Sequence, residues 1–373
     1  MIRLVPRGLL ALAVTMLGIP VAVAAAPTVQ RTFVASGGAD TNPCSIAQPC
    51  RSFAAALTQT NDGGEIIVLD SAGYGPVVIT KSVSLIAPPG VYAGISVISG
   101  NGVVIGGGNI KVTLSGLTIN GQGGDVGILV TTGIAMIDRC TVRNMAQDGI
   151  WLTTPTTVTI RDTTVVANGA NGVRLNDRAS GETNLLALRL HSEQNGSSGL
   201  VMGSGAKVRI HEGVFRANNV GVNVSTSLTN SSVTRIEITD SIVDDNGWGI
   251  ELSAIGASAT HLEGEFARNE IAGNLQYGVE IGSNSSAGGW ARATLTENHI
   301  FANGAGGLAG GGVHVLKLDN GTVEAIINRN VIARNAFLGL SVGGTAIVRS
   351  AGDNVIDRND GGDGAATMII TGK

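Results

Sequence analysis

Gly249-Ile-Glu-Leu252 and Gly278-Val-Glu-Ile281 are two copies of one phrase, glycine followed by apolar, variable and apolar residues. The phrase also stands at Gly127-Ile-Leu-Val130, Gly149-Ile-Trp-Leu152, Gly172-Val-Arg-Leu175, Gly199-Leu-Val-Met202 and Gly221-Val-Asn-Val224. It continues at Gly312-Val-His-Val315 and Gly339-Leu-Ser-Val342, with successive glycines 22 to 34 residues apart. Alternation of this kind has the period of a strand with one buried face. Its recurrence at a coil-sized interval marks a solenoid.

Two further parts lie upstream of each glycine. Val158-Thr-Ile160, Val208-Arg-Ile210 and Ile236-Glu-Ile238 read as one short strand. A second follows around Val165, Phe215, Val243, Ile271, Ile300, Ile332 and Ile356, then an asparagine turn at Asn168, Asn218, Asn246, Asn274, Asn303, Asn335 and Asn359. Three short strands and their turns in one interval make one coil of a parallel β-helix. Composition agrees. Of 373 residues 55 are Gly, only 14% are charged and 3% aromatic, yet 43% are hydrophobic. That is enough apolar surface to bury, arranged as many strands and tight turns.

Two columns of side chains follow from this register. Asn269, Asn298, Asn330 and Asn354 hold one equivalent turn position. Stacked about 4.8 Å apart, their amides form a hydrogen-bonded ladder. One position earlier stand Asp240, Arg268, Glu297, Arg329 and Asp353, whose alternating signs read as a salt-bridge ladder and not as catalytic acids.

From about Gly63 onward the chain resembles the right-handed parallel β-helix repeat family, whose fold is that of pectate lyases. The N-terminal stretch Thr32 to Asp40, with Asn42-Pro-Cys44, Pro49-Cys50 and Phe53, is similar to the lead-in of many secreted members. The fold expected is all-β: a single right-handed parallel β-helix of about ten three-strand coils with a short N-terminal capping helix. That helix, Phe53 to Gln59 with Ser52 as its cap, plugs the apolar end of the core. Residues 1–24 read as a signal peptide, 25–62 as the N-terminal segment and cap, and 63–373 as the β-helix. The resemblance does not extend to a particular enzyme family. Of the polygalacturonase phrases only Asp244-Asp245 is present, where a plain turn explains it. The signature phrases of pectate lyases, alginate epimerases and pectin methylesterases are missing, so no family catalytic residue is carried over.

Arg3 and Arg7, an apolar run from Leu9 to Val23 and the small residues Ala22-Val23-Ala24 form the signal-peptide pattern, favoured over a retained anchor because Gly18 and Pro20 break the run. The expected location is therefore secreted, extracellular or periplasmic, with no membrane insertion after cleavage. Loss of Arg3 and Arg7 takes the net charge from −4 to −6. With no Lys/Arg cluster, this argues against nucleic acid as a partner. In a secreted chain Cys44 and Cys50 read as a short disulfide. Cys140, left over, reads as a small buried thiol.

Inserts after the glycine-led strand, at 176–182, 225–232, 253–260, 282–290 and 316–322, mark its outer face as the functional one. Outward there stand Trp151, Arg174, Val201, Asn223, Glu251, Glu280, His314 and Ser341. Glu251 and Glu280 on consecutive coils suit an acid and nucleophile in glycoside cleavage or the binding of Ca²⁺, against the plainer reading of a solvated sheet face with scattered polar residues. Crowding of two carboxylates raises one pKa, as an acid catalyst needs. Arg174 suits a uronate carboxylate, His314 an alternative base, and Trp151 and Asn223 contacts to a sugar. No residues have the spacing of a transition-metal site. The sequence thus points to a monomeric protein that acts on or binds polysaccharide, as a lyase or hydrolase of an acidic glycan. The alternative is a non-catalytic adhesion, carbohydrate-binding or structural envelope protein using the same face.

Overall fold

The computed structural model describes residues 29–370 apart from 154, 177–181, 227–232, 257–259, 286–287, 308–309 and 319. The expected leader lies outside the described residues, as do parts of all five inserts. The glycine-led phrases form one sheet of eleven parallel strands, from Val77–Ile79 to Leu338–Gly343. The chain is a right-handed parallel β-helix of about eleven coils. Nine come from the phrases above; Val77–Ile79 and Asn101–Ile105 precede them, the latter carrying the same phrase at Gly102-Val-Val-Ile105.

Alternation fixes the register. Ile128, Ile150, Val173, Leu200, Val222, Ile250, Val279, Val313 and Leu340 pair successively across nine coils. All are buried, forming one continuous apolar column. A slip of one residue in any coil would turn its apolar set to solvent. The glycine before this column is a steric requirement. A Cβ at Gly249 would lie 2.3 Å from the Gly278 carbonyl oxygen, and one at Gly278 2.9 Å from the Asn303 Nδ2.

The other two faces form a single 24-stranded sheet, because strands such as Thr156–Val166 and Asn184–Glu193 run unbroken around the corner. At that corner the chain bends through one left-handed residue per coil, among them Asp162, Arg189, Glu212, Asp240, Arg268, Glu297 and Arg329, all with φ between 47° and 59°. The next residue begins the expected ladder. Asn269 Nδ2 donates to Asn298 Oδ1 (3.0 Å), Asn298 to Asn330 (3.0 Å) and Asn330 to Asn354 (2.9 Å). Each acceptor also takes the preceding backbone N–H, so the buried amides are satisfied. The charges alongside pair as expected, Arg268 with Asp240 at 2.7 Å and Arg329 with Glu297 at 2.8 Å.

A second, longer ladder fills the turn that the sequence marks only as asparagine-rich. It runs through Asn168, Asn195, Asn218, Asn246, Asn274, Asn303, Asn335 and Asn359 and ends on the carboxylate of Asp363.

At the N-terminal end the helix Phe53–Gln59 buries Phe53, Ala56 and Leu57, and the Ser52 hydroxyl accepts from the Ala55 N–H at 3.2 Å. Cys44 and Cys50 are joined in a disulfide. The strand Val29–Val34 lies in parallel on Thr60–Val68, so the N-terminal segment extends the first coil. Cys140 is buried, and desolvation pushes its thiol up to about 12, leaving it protonated and inert.

Candidate functional site

The outward residues of the eleven-stranded sheet stand in one file. Trp151 pairs with Arg174, then come Val201, Asn223, Glu251, Glu280, His314 and Ser341, each the register partner of the next. Neighbouring strands are about 4.8 Å apart, so Glu251 and Glu280 face the same space side by side. Arg174 is three strands from Glu251, a separation of about 14 Å. The fold therefore brings Asn223, Glu251, Glu280 and His314 together and leaves Trp151 and Arg174 as a separate group.

That separate group satisfies itself. The Arg174 guanidinium lies 3.4 Å from the buried carboxylate of Asp148 and 5.0 Å from the centroid of the Trp151 ring. The Trp151 Nε1 donates to Asn176 Oδ1 at 2.8 Å. An arginine held by a carboxylate and an aromatic face has little left for a uronate at the glutamates.

Around Glu251 and Glu280 the opposite holds. Among the described residues neither has an ion-pair partner at all. Both are half-buried. Burial raises the Glu251 carboxyl above its ordinary value, and burial together with the Glu251 charge pushes Glu280 up to about 7. Desolvation penalises each charge, and a second carboxylate on the next strand adds repulsion. His314 is shifted the other way, since burial disfavours the imidazolium. Among the described residues Asn223 Oδ1 and His314 Nδ1 are buried without a hydrogen-bond partner, one on each flank of the carboxylate pair. Unmet buried polar atoms are costly and are uncommon away from functional sites.

Two residues that the sequence reading passed over complete the site. The Tyr277 ring stacks on the His314 imidazole, with centroids 4.4 Å apart and planes 11° apart. Trp248 meets Tyr277 at 5.7 Å and 47°. Both immediately precede the glycine of their phrase, in Trp248-Gly-Ile-Glu-Leu252 and Tyr277-Gly-Val-Glu-Ile281. Strict alternation would put them on the inner face, three residues before an outward glutamate. The tyrosine's stack on an outward histidine shows that it turns to the site side. Their recurrence at one position in consecutive coils was the available signal.

Among the described residues no group of three or more His, Cys, Asp or Glu side chains is arranged to hold a metal ion. A groove of about 600 Å³ lies on another face, lined in part by Leu186, Lys207, Arg209, Arg235 and Glu237. Its cations are already paired: Lys207 with Glu182 at 2.6 Å, Arg209 with Glu237 at 3.4 Å and Arg235 with Glu263 at 2.7 Å. Shape favours that groove; unpaired titratable groups favour the sheet with Glu251 and Glu280, and reactivity follows the second.

The fold and this file of residues define a right-handed parallel β-helix with a polar sheet face between loops. A family model described as a right-handed beta helix region matches residues 66–187. Among solved structures, XylC in complex with xylose is similar over 81% of this chain and 75% of its own, at 8% identity and a TM-score of 0.56. The Dettilon tailspike protein is similar over 91% of this chain and 68% of its own, at 11% identity and a TM-score of 0.56. A looser likeness joins 87% of this chain to 74% of pectate lyase Pel9A, at 16% identity and a TM-score of 0.48. No curated protein matches the sequence.

Proposed function

We propose that this protein is a secreted, monomeric polysaccharide-processing β-helix that cleaves a glycosidic bond between Glu251 and Glu280. The observation that carries the reading is the unpaired carboxylate pair on consecutive coils, in a molecule whose other outward carboxylates commonly meet an arginine. A protein of the same fold named in a complex with xylose supports a sugar as the ligand.

Glu280, pushed up to about 7, keeps its proton to near neutrality and is the general acid. It protonates the glycosidic oxygen as the bond to the anomeric carbon breaks. Glu251, the less perturbed of the two, attacks that carbon and forms a glycosyl ester. Water, deprotonated by Glu280, then releases the sugar and restores both groups. A strand spacing of about 4.8 Å is close to the carboxyl separation of about 5–5.5 Å in retaining glycosidases. Hydrolysis is favoured over a lyase reaction because elimination from a uronate needs a cation on its carboxylate. Arg174 is committed to Asp148, and Lys317 lies three residues beyond His314, about 10 Å along the strand.

The test is a reducing-end assay on purified protein against a panel of neutral and acidic polysaccharides, with and without added Ca²⁺. New reducing ends are expected, and Glu280→Gln and Glu251→Gln are each expected to lower the rate at least about 100-fold with no fall in the melting midpoint. Saturable binding without product, unchanged in both variants, would replace the enzyme with a binding module.

A further inference from the structure

The carboxylate pair leaves open which sugars the sheet accepts, and the residues around it narrow the choice. Among the described residues Glu251 and Glu280 have no cationic partner, and Glu251 carries the negative charge of the pair. Next to them stand two aromatic rings and a histidine that burial keeps neutral. Leu275, two residues before Tyr277, is exposed. The Trp248 and Tyr277 rings lie on consecutive coils, as the two glutamates do, so each coil offers one ring and one carboxylate.

We infer that Trp248 and Tyr277 form a stacking wall for an uncharged sugar ring beside Glu251 and Glu280, so that the protein takes neutral glycans and rejects uronates. The inference rests on the proposed polysaccharide reading of this site and specifies its substrate class. A sugar's C–H face packs on an aromatic face through apolar burial, needing no charge. A uronate brought to the same place would set its carboxylate against the Glu251 charge, on a half-buried face that already disfavours a second anion.

The experiment is direct binding, by calorimetry or affinity electrophoresis, of xylan, mannan and β-glucan against polygalacturonate and alginate at pH 6–7. The wild-type chain is expected to bind at least one neutral polymer and neither uronate polymer. Trp248→Ala and Tyr277→Ala should each weaken neutral binding about tenfold or more, with Tyr277→Phe retaining it. Circular dichroism and the melting midpoint establish that each variant is folded. Glu251→Gln/Glu280→Gln should retain neutral binding and weaken the discrimination against uronates. Binding of uronates in preference to neutral glycans overturns the inference but leaves a polysaccharide-binding face. Neutral binding that survives both alanine changes removes the wall. Binding to none of the polymers overturns the polysaccharide reading, and the inference with it.

Discussion

The corner of the solenoid at Asp240, Arg268, Glu297 and Arg329 and the sheet at Glu251 and Glu280 are built from the same coils, yet they treat charge in opposite ways. At these four positions an arginine follows each acid on the next coil, Arg268 after Asp240 and Arg329 after Glu297. The Asp240 carboxyl is held below its ordinary value by its hydrogen bonds from Arg268. On the sheet a glutamate follows a glutamate, no partner answers, and both carboxyls are raised. Stacking at strand spacing amplifies whatever the sequence places in register: alternating signs become a ladder, and repeated signs become a perturbed pair. Repeated like charge on a half-buried face opposes folding, which argues for a use beyond structure.

Six substitutions test this contrast, beginning with the core common to both regions. Val173→Asp beneath the sheet and Ile238→Asp beneath the corner each bury a lone carboxylate in the apolar interior. Each is expected to cost more than about 4 kcal/mol and to abolish soluble folded protein, as read by yield and circular dichroism. Arg174→Ala, outward on the same strand as Val173, should still fold. If all three melted alike, the inward and outward assignment would be wrong.

Asn246→Ala is the next largest. It removes bonds to Asn274 Oδ1 (3.0 Å) and the Phe215 carbonyl (2.9 Å), and strips the acceptor from Asn218. The expected cost is about 2–4 kcal/mol in denaturant unfolding. Faster hydrogen exchange should concentrate in the coils on either side, because solenoid stability is local.

Glu280→Gln sharpens the sheet side. Its carboxyl titrates at about 7 in the folded chain against 4.5 ordinarily, so the native state binds the proton more tightly than the unfolded state does. The stability this supplies is full below about pH 4.5 and is lost as pH rises through about 7. The glutamine variant does not suffer that loss. It should match the wild type near pH 4.5 and exceed it by roughly 3 kcal/mol at pH 8. A difference that did not change with pH would mean that the carboxylates are solvated or paired.

Arg268→Ala is the smallest. An exposed ion pair is screened by solvent and salt, so the melting midpoint should fall by no more than about 2 °C, and by less in 0.5 M salt.

Much of this molecule was legible before any coordinates. The glycine-led alternation of Gly249-Ile-Glu-Leu252 and its copies determined strand, coil and register, because a two-residue period has only one way to bury its apolar set. The Asn269 to Asn354 column and its flanking charges followed from that register. So did the neighbourhood of Glu251 and Glu280, since residues at equivalent places in consecutive coils must be adjacent. Only the tertiary structure decided the rest. Trp248 and Tyr277 were invisible as site residues because alternation assigns them inward, whereas in the structure the Tyr277 ring stacks on the outward His314 and meets Trp248. Arg174 belongs to Asp148 because stacking the coils sets it within 3.4 Å of that buried carboxylate, in the turn before the neighbouring strand Ile150–Leu152. The protonation of Glu280 depends on how much solvent the assembled face excludes, a collective property of coils distant in the chain. Repetition writes position into the sequence; burial and partnering come into being only when the coils are stacked.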